Sequence, residues 1–137
     1  MKRKAFVAGQ FYPGNEEQLR RTIGEVTGSR GTPRKSIAVV SPHAGYVYSG
    51  PVAGAVFSST VVPGTVVILG PGHRKIGSLF AIQGRGSWLT PLGESPIEAD
   101  LASRIMKRCA LVEEDEQAHL WEHSLEVQLP FLQTVLD

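Results

Sequence analysis

The chain has 137 residues and a formal net charge of +1, with 14 Lys or Arg against 13 Asp or Glu. This length suits one domain with a sizeable core, and the balanced charge argues against nucleic acid or an acidic membrane as a partner. The single cysteine excludes an internal disulfide and a cysteine-rich zinc module. No apolar run reaches the roughly 18 residues of a membrane span, and the N-terminal apolar stretch is too short for a secretory signal. We therefore expect a cytoplasmic protein.

The N-terminal segment predicts a loop followed by a helix. Residues 8–14 are punctuated by Gly and Pro and carry the adjacent aromatics Phe11 and Tyr12. These two rings either line the mouth of a pocket or pack into the core. Asn15 has the properties of a helix N-cap, with acids in the next turn and apolar residues at helical spacing after it. We expect this helix to end near Gly28.

Two short β-branched runs, at 37–40 and 65–69, predict buried strands that each end in a turn with a histidine. A helix over 52–57 would join them into a right-handed unit with parallel strands. His43 and His73 would then lie at the same edge of the sheet, where α/β proteins bind ligands.

The remaining elements are predicted from turn and cap signals. Residues 79–82 and 87–90 are typical of a β-hairpin, and residues 95–98 have the form of a helix-capping box. A last helix is expected from Glu122 to the C-terminus, with a kink at Pro130.

The paired histidines are the strongest candidates for chemistry. Neutral imidazole binds zinc, iron and copper, and two histidines with a carboxylate or thiolate complete a metal site. The alternative is that His43 and His73 are ordinary polar turn residues. Tyr46 and Tyr48, which follow His43 closely, either hydrogen-bond a substrate or simply pack.

Residues 119–123 read H-x-x-E-H, the signature of inverted zinc proteases. On a helix, His119 and His123 would share a face and bind zinc, with Glu122 as general base. Such proteases also need an acidic ligand well downstream, and too few residues follow here. The alternative for His119 is a solvated helix face.

Five motifs taken together resemble the Memo family, whose microbial members are also called AmmeMemoRadiSam system protein B. They occur in family order at residues 8–13, 42–50, 70–73, 90–93 and 122–131. The resemblance therefore covers nearly the whole chain.

This resemblance implies an α/β fold with a mostly parallel sheet flanked by helices, similar to class III extradiol dioxygenases, which open catechol rings with non-haem iron. It places His43 and His73 on two metal-ligand positions. It places His123 in the same pocket as an acid/base or substrate partner, with Glu122 beside it. Phe11 matches an aromatic residue at the pocket mouth.

Family members are about twice as long, so residues 1–137 are expected to form a single α/β domain that corresponds to the N-terminal half of a Memo-like domain. The resemblance implies that the third metal ligand, a cysteine in the Memo proteins, is absent from this chain, because Cys109 is not at the matching position. A truncated sheet would leave an unpaired edge, so we expect self-association or a completing chain.

Three functions follow as hypotheses. The first is a non-haem metal-dependent oxidoreductase, similar to a dioxygenase, that uses iron, copper or zinc on an unknown substrate. The second is a non-catalytic adaptor that binds a peptide or another anion in the same pocket, although no Arg cluster of the usual kind is present. The third is the zinc protease. The expected ligand is accordingly a small molecule or a peptide.

Overall fold

The computed structural model describes residues 1–28 and 32–136. They form helices that are joined by short strands and loops. Its helices are α1 (Glu16–Thr27), α2 (Tyr46–Ser58), α3 (Ala99–Arg108), α4 (Gln117–Leu120) and α5 (Leu129–Leu136), with a 3-10 turn at Glu126–Gln128. Its strands are β1 (Lys2–Arg3), β2 (Ala81–Ile82), β3 (Ser87–Thr90), β4 (Gly93–Pro96) and β5 (Glu113–Glu114). The predicted α/β class is confirmed.

Two narrow sheets pair distant parts of the chain. β3 lies between β1, to which it is parallel, and β4, to which it is antiparallel. β2 and β5 form a separate parallel pair. The predicted hairpin between 79–82 and 87–90 is wrong, because the N-terminus pairs with β3 and the amide of Ser87 donates to the carbonyl of Met1 at 3.2 Å. The hairpin of this region is β3–β4.

The helix α1 follows its sequence signals. The Asn15 side chain caps it by accepting a hydrogen bond from the backbone amide of Gln18 at 3.1 Å. Its apolar stripe buries Leu19 and Ile23 completely. The helix ends at Gly28, whose φ of 50° lies in the region that glycine adopts most readily.

Helix α2 begins at Tyr46, well before the predicted helix at 52–57, and contains Pro51 in its interior. Tertiary packing outweighs the cost of this proline, because α2 lies directly against α1. A Cβ atom at Gly54 would clash with the carbonyl oxygen of Val26 in α1. Aromatic rings from α2 and α5 complete the core, with Phe57 stacked on Phe131 at 5.3 Å between ring centroids.

A buried ion pair connects the N-terminus to the 3-10 turn. Nη1 of Arg3 donates to the Glu126 carboxylate at 2.8 Å, and both side chains are fully buried. The same carboxylate accepts the backbone amides of Phe6 and Val7 and the hydroxyl of Tyr12, each within 3.0 Å. All the strong partners of this buried charge are therefore supplied by one short N-terminal segment.

The two runs that predict parallel strands, 37–40 and 65–69, form no strand in the described residues, so this prediction is wrong. Most of their side chains face solvent, with Val40 92% and Leu69 89% exposed, whereas Ile68 is partly buried against the core. One isolated bridge, between Arg34 and Thr60, links the segments that lead into them. A β-branched run forms a strand only where a neighbouring strand pairs with it.

Two predicted helix boundaries are also wrong. Ser95 and Pro96 belong to β4, and α3 begins only at Ala99, so residues 95–98 are not a capping box. The last helix starts at Leu129 and not at Glu122, and Pro130 lies in its first turn, where a missing amide costs nothing. Asp137, the expected end of this helix, lies outside the described residues.

Among the described residues, no helix has the length and apolar character needed to cross a membrane.

Because α1 and α2 are in close contact, we predict that replacing glycine by alanine has opposite effects on the free energy of unfolding at two positions. Gly54→Ala should lower the free energy of unfolding by about 1–3 kcal/mol, because the new methyl group meets the backbone of Val26. Gly24→Ala should raise it by about 0.5–1 kcal/mol, because that α1 position is exposed and has open space. Urea denaturation of both variants measures this, and equal effects would contradict the close approach.

The buried ion pair predicts a large loss of stability when one partner is neutralised. Glu126→Gln should lower the free energy of unfolding by about 3–5 kcal/mol, because the Arg3 charge then remains buried without its counter-ion. Glu94→Gln is the matched control, since Glu94 pairs with Lys2 on the exposed surface, and it should change stability far less. Similar losses in both variants would contradict the assigned role of Glu126.

Candidate metal centre

Three histidines from separate loops meet in the structure. His43 lies just before α2, His73 precedes β2, and His123 lies between α4 and the 3-10 turn. Their ring centroids are 4.5 to 5.9 Å apart, and one ligand nitrogen from each lies within 4.8 Å of the others. The chain thus brings together three potential metal ligands, where the sequence predicts two.

The His43 loop is held by backbone contacts on both sides. The side-chain amide of Gln128 donates to the carbonyl of Pro42 at 3.0 Å. The amide of Tyr46, at the start of α2, donates to the carbonyl of Phe11 at 2.7 Å. These bonds connect His43 to both the N-terminal loop and the 3-10 turn.

The carboxylate of Glu122 holds the other two histidines together. It accepts the backbone amide of His73 at 2.5 Å, the Nδ1–H of the same residue at 2.9 Å, and the amides of His123 and Ser124 at 2.8 Å each. The side chain is only 5% exposed. Burial raises the pKa of Glu122, but the hydrogen bonds from His73, Ser124 and His123 outweigh this effect and lower the pKa to about 2.

This contact also assigns the tautomer of His73. Because an ionised Glu122 carboxylate can only accept, the proton in this contact is assigned to Nδ1, which leaves Nε2 as the nitrogen for a metal ion or substrate. Burial, together with the nearby rings of His73 and His43, lowers the pKa of His123, although Glu122 raises it. A neutral His123 near pH 7 is therefore available as a ligand.

An open cleft leads to the three rings. It is lined by Phe11, residues 42–45, Tyr48, His73 and His123. The ring of Phe11 packs against the ring of His123 at 4.7 Å between centroids. Tyr48 is exposed at the rim. A ligand can approach the histidines from solvent past these two aromatic residues.

The other two tyrosines predicted to contact substrate lie in the core. The hydroxyl of Tyr12 donates to Glu126, and the hydroxyl of Tyr46 donates to the carbonyl of Val127 at 2.7 Å. Burial, followed by the charge of Glu126, raises the pKa of Tyr12. Of the four aromatic candidates, the structure places Phe11 and Tyr48 in the cleft and leaves Tyr12 and Tyr46 as packing residues.

A family model described as Memo-like protein matches residues 3–137. The chain belongs to the Memo family.

Curated relatives in archaea extend this finding. A MEMO1 family protein of Thermococcus onnurineus is 48% identical over 139 residues, which cover 97% of this chain and 47% of the relative. Those of Methanopyrus kandleri and Sulfurisphaera tokodaii are 43% and 40% identical, over 98% and 96% of this chain and 52% and 51% of the relatives. This Memo-family chain spans about half the length of the curated relatives it matches.

The H-x-x-E-H motif does not form a zinc-binding helix in this Memo-family chain. Helix α4 ends at Leu120, so His119 and His123 do not share a helix face. His119 is 8% exposed and packs its ring against Trp88, which also contradicts the solvated alternative. Burial and then the charge of Arg3 lower its pKa. Among the described residues, the cluster of metal-binding groups does not include His119.

Cys109 is also separate from the three histidines. It follows α3 as the C-terminal cap residue and is half-buried. Its thiol is not part of the cluster of potential ligands among the described residues.

Several residues that position the centre are not apparent as functional from the sequence. The guanidinium of Arg3 donates to the carbonyls of His119 at 2.7 Å and Glu122 at 2.6 Å, and so holds the turn that carries His123. The hydroxyl of Ser124 donates to the carbonyl of Pro71 at 2.9 Å, next to His73. In the sequence, the sign of such positioning residues is the motif at 122–131, which contains several polar residues that the structure buries.

The donor set fits a transition metal and not a hard cation. Three imidazole nitrogens suit zinc, iron or copper, whereas magnesium and calcium prefer oxygen ligands. His43, His73 and His123 would hold the ion, and Glu122 would orient His73 from the outer shell, as carboxylates commonly do at metal sites.

The lowered pKa of Glu122 predicts a pH-dependent contribution to stability. The pKa of Glu122 is about 2 in the folded state, against 4.5 for an ordinary glutamate. This difference corresponds to about 3 kcal/mol of stability that is fully present above pH 4.5 and is lost as the pH falls toward 2. Glu122→Gln should therefore be destabilised at pH 7, and its difference from the wild type should shrink below pH 4.5.

Urea denaturation at several pH values measures this difference. Glu16→Gln is the control, because that carboxylate forms an exposed pair with Arg20. A Glu122→Gln difference that stays constant from pH 7 to 2.5 would contradict a buried, ionised Glu122.

Proposed function

We propose that this Memo-family chain contributes the histidine pocket of a non-haem metal-dependent oxidoreductase, with a divalent ion bound by His43, His73 and His123. The observation that carries the proposal is the convergence of three ligand nitrogens within 4.8 Å at the base of an open cleft. Iron and copper are the preferred ions, and zinc is the alternative.

The arrangement of the ligands supports an open metal site. Three protein ligands leave coordination positions that a substrate or oxygen can occupy, whereas a structural metal is enclosed by four. When bound, a redox-active ion would supply the capacity to activate oxygen or an oxygen-containing substrate. The cleft that contains the three histidines is open to solvent beside Phe11 and Tyr48.

The protein groups around the ion have separate roles in this proposal. Glu122 is fully occupied as a hydrogen-bond acceptor, so it positions His73 and does not move protons. His123, whose pKa is lowered, is neutral near pH 7 and acts as the third ligand. Phe11 packs against the His123 ring and limits its rotation.

The substrate is proposed to be a small molecule. The cleft combines aromatic and imidazole surfaces and includes no Lys or Arg among its lining residues. This composition suits a planar or polar small ligand better than a phosphorylated peptide, which arginine clusters usually recognise. The substrate, the reaction and the cytoplasmic location stay predictions, since the chain spans half the length of its relatives.

Metal binding tests the proposal directly. The chain is loaded anaerobically with Fe²⁺, Cu²⁺ or Zn²⁺ in turn, and bound metal is measured after desalting. We expect one ion per chain, and we expect His43→Ala and His73→Ala each to weaken binding by at least about 100-fold, since each removes a ligand.

His119→Gln is the matched control, since it changes a histidine that lies outside the cluster and should leave the metal content unchanged. Loss of zinc in His119→Gln with retention in His43→Ala would overturn the proposal in favour of the protease alternative. Metal content that stays unchanged in both His43→Ala and His73→Ala would overturn the assignment of the histidines as ligands and, with it, the oxidoreductase proposal.

A further inference from the structure

The three histidine rings of the candidate metal centre differ in their outer contacts. Nδ1 of His73 lies 2.9 Å, and Nδ1 of His123 lies 3.5 Å, from the same carboxylate oxygen of Glu122. In the part of the chain that the structure describes, the ring of His43 contacts the other two rings but has no hydrogen bond or ion pair of its own. Histidines that bind a metal nearly always donate their second ring N–H to an acceptor. The acceptor for His43 must therefore come from another residue.

The side chain of Gln128 contacts the His43 loop and has an unused acceptor. Its amide nitrogen donates to the carbonyl of Pro42, the residue before His43, at 3.0 Å, and to the carbonyl of Ser124, the residue after His123, at 3.4 Å. Its Oε1 atom is buried and has no hydrogen-bond partner among the described residues. Since buried polar atoms are rarely left unpaired, this oxygen is available to a donor.

The hydrogen-bond network fixes the orientation of the Gln128 amide. Carbonyl oxygens only accept hydrogen bonds, so the atom of Gln128 that faces the carbonyls of Pro42 and Ser124 is the nitrogen. Exchanging the two ends of the amide would place its oxygen against two other oxygens. Oε1 is therefore assigned as the end without a partner.

Hydroxyl donors close to this amide already have partners. The hydroxyl of Ser124 donates to the carbonyl of Pro71 at 2.9 Å, and that of Tyr46 donates to the carbonyl of Val127 at 2.7 Å. The half-buried ring of His43 still offers an N–H, and it follows directly on the residue whose carbonyl oxygen the amide contacts. A donor and an acceptor without partners thus lie in the same region of the structure.

We propose that Gln128 is the positioning residue of His43, with its Oε1 as the acceptor of the Nδ1–H of that ring. The hydrogen bond is not formed in the structure described above, and it forms when a bound ion fixes the orientation of the ring. Nε2 of His43 is then the nitrogen presented to the ion, because the bond at one ring nitrogen sets the tautomer at the other. Gln128 acts on His43 as Glu122 acts on His73, and the inference rests on the metal site proposed above.

Nuclear magnetic resonance of the wild-type protein tests the inference without any change to Gln128. The full 137-residue chain is loaded with Zn²⁺, and its imidazole nitrogens are observed through long-range correlations to the ring protons. His43→Ala identifies the signals of His43 by their loss. We expect Nδ1 of His43 to carry a proton that exchanges slowly with water and that shows a through-hydrogen-bond coupling to the side-chain carbonyl carbon of Gln128.

A matched pair of substitutions separates positioning from general loss of packing. Gln128→Met has a similar volume but neither donor nor acceptor, and it should weaken Zn²⁺ binding by about 10- to 100-fold and abolish the slow exchange at His43. Gln133→Met is the control, because the Gln133 amide also forms two hydrogen bonds, with Thr90 and Gly93, away from the histidines. It should leave the Zn²⁺ affinity unchanged.

The outcomes distinguish this inference from the proposed metal site. Equal Zn²⁺ affinity in the wild type and Gln128→Met, or a bound His43 whose proton lies on Nε2, would overturn the inference and leave the metal site intact. An equal loss of affinity in Gln133→Met would also overturn it, because loss of packing would then explain both variants. A wild-type chain that binds no Zn²⁺ would overturn the zinc-loaded site itself, and the role of Gln128 with it.

Discussion

The buried ion pair between Arg3 and Glu126 is the constraint on which the rest of the structure depends. Its carboxylate accepts the amides of Phe6 and Val7 and the hydroxyl of Tyr12, so it positions the loop that continues to Phe11. Its guanidinium lies 4.0 Å above the Trp88 ring and donates to carbonyls of the turn that precedes His123. Two ends of the chain are thereby joined through one desolvated pair, which is stable only because every strong donor and acceptor has a partner.

The cluster of three histidines is built on loops that buried polar contacts hold in place. Glu122 takes four hydrogen bonds and draws His73 and His123 together, and Gln128 holds the loop of His43 from the opposite side. Loops that are fixed in this way can place ligands as accurately as helices or strands do.

Sequence reasoning was most successful where the signal was local. The Asn15 cap and the Gly28 stop of α1 depend on hydrogen bonds and φ angles within a few residues, so both are confirmed. The predictions failed where pairing between strands determined the secondary structure. Residues 37–40 and 65–69 have the composition of strands but have no partner strand among the residues that the structure describes. Residues 95–98 have the pattern of a helix cap, but Ser95 and Pro96 pair with β3 as part of β4.

The sequence by itself determined the Memo family, the α/β class and the identity of His43 and His73 as a candidate pair, because motifs and residue chemistry are properties of the chain. The resemblance already placed His123 in the same pocket, but only the tertiary structure decided that its ring nitrogen lies close enough to act as a third ligand. The tertiary structure also decided that His119 is buried against Trp88, and that Tyr12 and Tyr46 belong to the core. The physical reason is the turn at 120–124. Just after α4 ends, the Glu122 carboxylate accepts the amides of His123 and Ser124, so His119 and His123 do not share a helix face. No helical or strand periodicity in the sequence predicts this turn.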